Sequence, residues 1–123
     1  MRITGLGVDL VSIPRMRTTI DRWHDRFVAR VFTDDEIAYC RARRDPAPHF
    51  AARFAAKEAV GKALGSGVYF TWKEIEIRGR PKPGVHLTGG TAAWAEKVSA
   101  GAIELSMTHS QELAAAVCAV VDA

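Results

Sequence analysis

The sequence predicts an α+β fold in which an antiparallel sheet packs against one long central helix. Three observations carry the prediction. Apolar residues recur at every second position over residues 3–11 and again at Ile103, Leu105 and Met107, which is the period of a strand. The stretch from about His49 to Leu64 is rich in Ala, Phe, Lys and Glu and stops at Gly65, a residue suited to ending a helix. The segments are grouped as strand, helices, strands, helix, strands, which differs from a strict strand–helix alternation.

Taken in order, the first strand places Leu6, Val8 and Leu10 on one face and Gly5, Gly7 and Asp9 on the other. Glycines leave room for another backbone or a ligand to come close beside Asp9. Ser12 followed by Pro14 predicts a helix start, with Pro in the first turn. Arg15, Arg17, Arg22 and Arg26 make the segment after it basic. Thr33 and Glu36 form a capping box that opens a helix to about Ala42. Residues 43–48 read as a loop before the long helix, whose six alanines (51, 52, 55, 56, 59 and 63) allow close packing. Trp72 to Arg78 predicts a strand, Gly79 to Gly84 a turn, and Val85 to Thr88 the return strand. A short helix is expected over Thr91–Ala100. Leu113 to Val121 is nearly all apolar and predicts a buried strand.

With 123 residues the chain is expected to be one domain, 1–123, with one modest core. That leaves little material for a deep private pocket, so a large ligand would sit naturally at a subunit interface. The formal net charge of +3 and a pI of about 9.1 suit an acidic or phosphorylated partner without requiring one. Cys40 and Cys118 have no metal-ligand spacing and read as buried thiols in a reducing compartment. MRITGLGVDL lacks the apolar core and cleavage site of a signal peptide, and no apolar run reaches the ~18 residues that span a membrane. A cytoplasmic protein with no membrane partner is expected. No nucleic-acid partner is expected either, because the strands carry Trp72 and little else aromatic to interleave with Arg or Lys.

Candidate chemistry lies on the long helix, RFAAKEAVGKALG over Arg53–Gly65. Glu58 and Lys62 are four apart and share a face with Phe54, one turn earlier. By spacing alone this is an ordinary surface pair worth roughly 0.2–0.5 kcal/mol. Asp9 changes the weighing, because a carboxylate in an otherwise apolar strand is costly unless paired or metal-bound. Two carboxylates with phosphate oxygens and water make a magnesium site, and Lys62 stands where it can neutralise a phosphate.

At this point the chain resembles a known family. GLGVDLVSIPRM (5–16), FAAKEAVGKALG (54–65) and SMTHSQELAAAV (106–117) are similar to the three signature segments of holo-[acyl-carrier-protein] synthase, the short class of 4′-phosphopantetheinyl transferases. Phe32–Glu36 and the Gly79-Arg80-Pro81 turn extend the similarity along essentially the whole chain. The resemblance implies the fold of that family and the transfer of 4′-phosphopantetheine from coenzyme A to a serine of an acyl carrier protein, with Mg²⁺. It implies that Asp9 and Glu58 bind the metal, that Glu58 helps to position or activate water, and that Lys62 sits near the coenzyme A phosphates. His109 matches a coenzyme A-site histidine. Arg53, Phe54, Gly65, Gly79, Arg80 and Pro81 are implied against the coenzyme A, with Arg80 where lysine is usual. Arg15 and Arg26 match positions that meet an acidic carrier-protein helix. A homotrimer with shared sites is implied as well. Pro83 departs from the usual pattern and puts the turn's nucleotide contacts in question, while Gly61 stands in mid-helix where Ser or Gly both occur in the family. The alternative is a coenzyme A-binding protein without catalysis, which would have no need of the metal pair.

Overall fold

The structure, a computed structural model, describes residues 1–65, 71–79 and 82–123. The chain runs β1 (Ile3–Ser12), α1 (Ile13–Val31), α2 (Asp34–Arg41), α3 (Pro46–Leu64), a 3-10 turn (Trp72–Glu74), β2 (Ile75–Arg78), β3 (Gly84–Leu87), α4 (Gly89–Lys97), β4 (Ala100–His109) and β5 (Leu113–Asp122). Strands β1, β5 and β4 form one antiparallel sheet with β5 in the middle, and β2 and β3 form a separate hairpin. Helix α3 lies across the inner face of the larger sheet, which confirms the predicted α+β class.

Helix α3 explains the glycines of β1. A Cβ on Gly5 would stand 1.8 Å from the Ala63 carbonyl oxygen, and one on Gly7 would stand 1.9 Å from that of Ala59. Strand and helix backbones therefore touch. The match is geometric: two residues of strand advance about 6.6 Å and four of helix about 6 Å, so successive glycines meet successive turns. Asp9, the next residue on that face, is carried to the turns that hold Glu58 and Lys62. The alanines of α3 make the approach possible: Ala55, Ala56 and Ala59 are fully buried in the core it shares with Cys118 and Val120 of β5.

Polar groups fix how the helices sit. Ser12 caps α1 by accepting from the Arg15 amide at 3.2 Å. The capping box at α2 is present in full, with the Thr33 amide donating to Glu36 at 2.9 Å. Glu36 is buried and forms an ion pair with the buried Lys57 at 2.7 Å, while its other oxygen accepts from the Ile77 amide. Lys57 also donates to the Trp72 and Ile75 carbonyls. Burial pushes the Lys57 ammonium down and Glu36 holds it up. This network ties α2, α3 and β2 together. Removing one partner alone would strand a buried charge at about 3–5 kcal/mol. Both cysteines are free and buried, and burial pushes their thiols up, Cys40 to about 12 and Cys118 to about 11.

Four sequence readings need correction. Helix α3 starts at Pro46, within the expected loop, because prolines in a first turn supply a preset φ and leave no needed N–H unused. Trp72–Glu74 is a 3-10 turn that precedes the strand. Helix α4 begins earlier and ends earlier than Thr91–Ala100; Glu74 accepts from the Gly90 and Thr91 amides at its start, and Ala100 already belongs to β4. Strand β5 is buried on one face only: Ala114, Ala116, Cys118 and Val120 point to α3, while Leu113 and Val117 are exposed. Leu6, Val8 and Leu10 of β1 lie on the same outer face, each more than 60% exposed.

Candidate active site

Asp9 and Glu58 face one cleft of about 320 Å³ between β1, α1 and α3. Leu10, Arg15, Met16, Thr19, Phe27 and Phe54 contribute to its walls. Phe54 is held by stacking on Trp72, with ring centroids 4.8 Å apart. Glu58 is half-buried; burial first, and then the Asp9 carboxylate, push its carboxyl above the ordinary range, with Lys62 opposing. Lys62 does not pair with Glu58. Its ammonium donates to the Val8 carbonyl at 3.0 Å and lies 3.3 Å from Asp9 Oδ1. Two carboxylates that repel each other therefore lie beside one exposed ammonium.

The donor set fits Mg²⁺. Among the described residues no group of three or more His, Cys, Asp or Glu is placed to hold an ion. Two carboxylates leave most coordination positions to substrate oxygens and water, which is the usual arrangement for Mg²⁺ with phosphate substrates and differs from a closed protein cage.

A second cleft lies on the other side of α3 and shares no lining residue with the first. Arg53, Gly79 and His109 line it with Tyr39, His49, Ala52, Pro83, Met107 and Thr108. Arg53 is 5% exposed, its guanidinium 3.9 Å from the Tyr39 ring centre, and its buried Nε has no hydrogen-bond partner among the described residues. The Arg43 guanidinium approaches the same ring at 4.6 Å, and its Nε is likewise buried without a partner. The His109 ring lies edge-on to His49 at 5.6 Å. Gly79 has φ +87, a conformation that favours glycine. Pro83 lines this cleft, so the departure noted in the sequence lies at the site.

The predicted residues thus divide into two groups. Asp9, Phe54, Glu58 and Arg15 line the first cleft, with Lys62 beside Asp9, and Arg53, Gly79 and His109 line the second. Gly65 caps α3 in the left-handed conformation and is exposed. Arg26 is exposed on α1 beyond a break at His24. Arg80 and Pro81 lie outside the described residues. Sequence reasoning missed Tyr39, Arg43 and His49. His49 carried a usable signal, since it precedes Arg53 by four residues on one helix face. Tyr39 and Arg43 reach Arg53 only through the packing of α2 on α3.

Known proteins resemble this chain in sequence and in fold. The sequence profile of the 4′-phosphopantetheinyl transferase superfamily matches residues 5–118. The chain belongs to that superfamily. A holo-[acyl-carrier-protein] synthase of Koribacter versatilis is 38% identical over 118 residues, covering 93% of this chain and 94% of that protein. The crystal structure of holo-[acyl-carrier-protein] synthase from Neisseria meningitidis superposes with a TM-score of 0.90 at 27% identity, over 98% of this chain and 100% of that one. The Helicobacter pylori enzyme in complex with coenzyme A superposes with a TM-score of 0.82 at 28% identity, over 94% and 99%. As a 4′-phosphopantetheinyl transferase, the chain has the predicted fold class and nearly the full length of these relatives.

Proposed function

We propose that this protein is a holo-[acyl-carrier-protein] synthase. It transfers 4′-phosphopantetheine from coenzyme A to a serine of an apo acyl carrier protein and releases 3′,5′-ADP. The observation that carries the reading is the Asp9–Glu58 pair with Lys62 beside it, all on the two elements whose backbones touch.

In this reading the serine hydroxyl attacks the phosphorus that bears the pantetheine arm, and the bond to the adenosine-side phosphate breaks. Phosphoryl transfer asks for alignment and charge neutralisation more than for a protein nucleophile. Asp9 and Glu58 would hold Mg²⁺, which would supply positive charge to offset that of the phosphates. Glu58, through a water molecule, accepts the serine proton. The Lys62 ammonium leaves Asp9 for the departing phosphate and offsets its charge. Phe54, braced by Trp72, walls the cleft against water.

Arg53, with Arg43, receives the nucleotide end; an anion there would satisfy two buried Nε atoms that now have no partner. His109, Gly65, Gly79, Arg80 and Pro81 are assigned to the same coenzyme A subsite. Arg15 and Arg26 meet the acidic carrier protein. We place the protein as a homotrimer. The apolar outer face of β1 and β5 supports this, and so does the division of the candidate residues between two clefts that neighbouring copies would join. The buried thiols, and a chain in which no described helix is long and apolar enough to cross a membrane, agree with a cytoplasmic location.

Intact-mass analysis tests the reading. An apo carrier protein incubated with this protein, coenzyme A and Mg²⁺ should gain one phosphopantetheine. A carrier of unchanged mass, with coenzyme A bound to the protein, would leave a non-catalytic coenzyme A binder.

A further inference from the structure

Strand β1 and helix α3 meet through Gly5 and Gly7 on one side and the backbones of Ala59 and Ala63 on the other. These glycines offer no side chain to interlock with the helix. The contact fixes how close α3 lies to β1 but little of its rotation about its own axis. That rotation decides where Glu58 stands relative to Asp9. The Lys62 link to Val8 and Asp9 is a weak guide, since the Lys62 side chain is 53% exposed and leaves the link in the transferase reading. Another contact has to set the rotation.

The segment Trp72–Ile75 grips α3 at two places. The first is Lys57, the residue before Glu58, whose side chain is wholly buried. Its ammonium carries three N–H donors, and all three are used. They meet Glu36 of α2 at 2.7 Å, the Trp72 carbonyl at 3.0 Å and the Ile75 carbonyl. A group held in this way cannot slide without leaving a buried bond unmade. The second place is Phe54, one turn before Glu58 on α3. The Trp72 indole stacks on it with an interplanar angle of 21°, and Phe27 of α1 approaches it with ring centroids 6.3 Å apart. Phe54 and Glu58 line the cleft with Asp9, while Lys57 and Trp72 are absent from its described walls. The grip is therefore applied from behind the site.

We infer that the Trp72–Ile75 segment is a positioning bracket for the transfer, with Lys57 and Trp72 as positioning residues that act through Glu58 and Phe54. This rests on the transferase reading above. A buried ion pair adds little net stability over apolar side chains of similar size. A displacement of about 1 Å at a reacting centre, by contrast, costs on the order of 10²-fold in rate. Alignment is thus the larger return from burying Lys57 and Glu36.

Steady-state transfer read by intact mass, with titration calorimetry of 3′,5′-ADP, tests the bracket. Lys57→Met combined with Glu36→Gln removes both buried charges and strands neither. In this double variant kcat should fall about tenfold or more. The KM for coenzyme A should stay within about threefold, because contacts through long charged side chains tolerate a shift that in-line transfer does not. Calorimetry should still count the wild-type number of 3′,5′-ADP sites per chain. That count reports folded chains, so it separates misalignment from unfolding. Trp72→Leu should show the same split between kcat and KM, and Trp72→Phe, which keeps a ring to stack on Phe54, should recover most of kcat.

A double variant with wild-type kcat overturns the bracket while the transferase reading stands. A kcat that falls only in step with the number of 3′,5′-ADP sites does the same, since Lys57 and Glu36 then hold the fold and nothing more. If the double variant does not fold, the Trp72 variants decide alone: wild-type kcat in Trp72→Leu, or no recovery in Trp72→Phe, removes the inference. A wild-type protein that transfers nothing to the carrier overturns both readings.

Discussion

Lys62 reaches across to Asp9 on β1, 3.3 Å away, and leaves Glu58, its neighbour one turn back on α3, without an ion-pair partner among the described residues. The ammonium therefore shields one carboxylate of the pair while the other is pushed towards protonation. An ordinary surface ion pair along the helix would not do this.

If the carboxylates hold the metal, Asp9→Asn and Glu58→Gln should each abolish transfer with the circular-dichroism spectrum unchanged. EDTA should do the same to the wild type, and added Mg²⁺ should restore it. Lys62→Ala should cut kcat by about 10²-fold while stability moves by less than ~1 kcal/mol, the range of an exposed pair. Either carboxylate variant working normally in Mg²⁺ would remove the metal assignment.

Contact of β1 and α3 through their backbones makes Gly7 a sensitive position. A methyl group there meets the Ala59 carbonyl, which cannot rotate away. Gly7→Ala should destabilise the fold by about 1–3 kcal/mol or more and reduce transfer more than coenzyme A binding, because it moves Asp9 away from Glu58. Urea titration and a turnover assay on the same sample would check this. Wild-type stability would contradict the backbone contact.

Glu74 caps α4 from a distance: its carboxylate accepts from the Thr91 amide and hydroxyl at 2.9 and 2.8 Å and from the Gly90 amide at 3.3 Å. The Thr91 hydroxyl, then its amide, hold Glu74 below its usual 4.5. A depressed carboxyl stabilises the fold above its unfolded value and loses that contribution as pH falls through its folded value. Glu74→Gln should therefore cost about 0.5–1 kcal/mol at neutral pH, and the gap to wild type should close in acid below pH 4.5. Thermal melts at two pH values would show it, and a gap that persists in acid would exclude the charge as its source.

Val8 opposes Val117 across β1 and β5 on the exposed outer face. Val8→Asp should leave each chain folded yet break the assembly and with it the activity. Light scattering over a dilution series, with turnover per chain, decides this. A monomer with full turnover would end the shared-site reading.

Much of this was legible in the sequence. Helix α3 announced itself through its alanines and Gly65, and the two-glycine face beside Asp9 located the backbone contact of β1 with α3. β5 misled because an all-apolar run looks the same whether its second face meets a helix or faces outward on a single chain. The cap from Glu74 to α4 joins residues far apart in sequence, and no local pattern encodes it. Asp9, Glu58 and Lys62 were linked by residue chemistry and the helix period. The split between their cleft and that of Arg53 and His109 depends on which side of α3 each residue leaves, and on how α2 packs there.

The two cysteines have a practical consequence. Burial keeps both thiols protonated at neutral pH, and only the thiolate attacks a maleimide. The folded chain is thus chemically silent to thiol reagents. A cysteine installed on the surface of α1 would take a fluorophore alone, without any need to delete the native pair. Slow labelling of Cys40 and Cys118 would then act as a clock, counting each occasion on which the core opens.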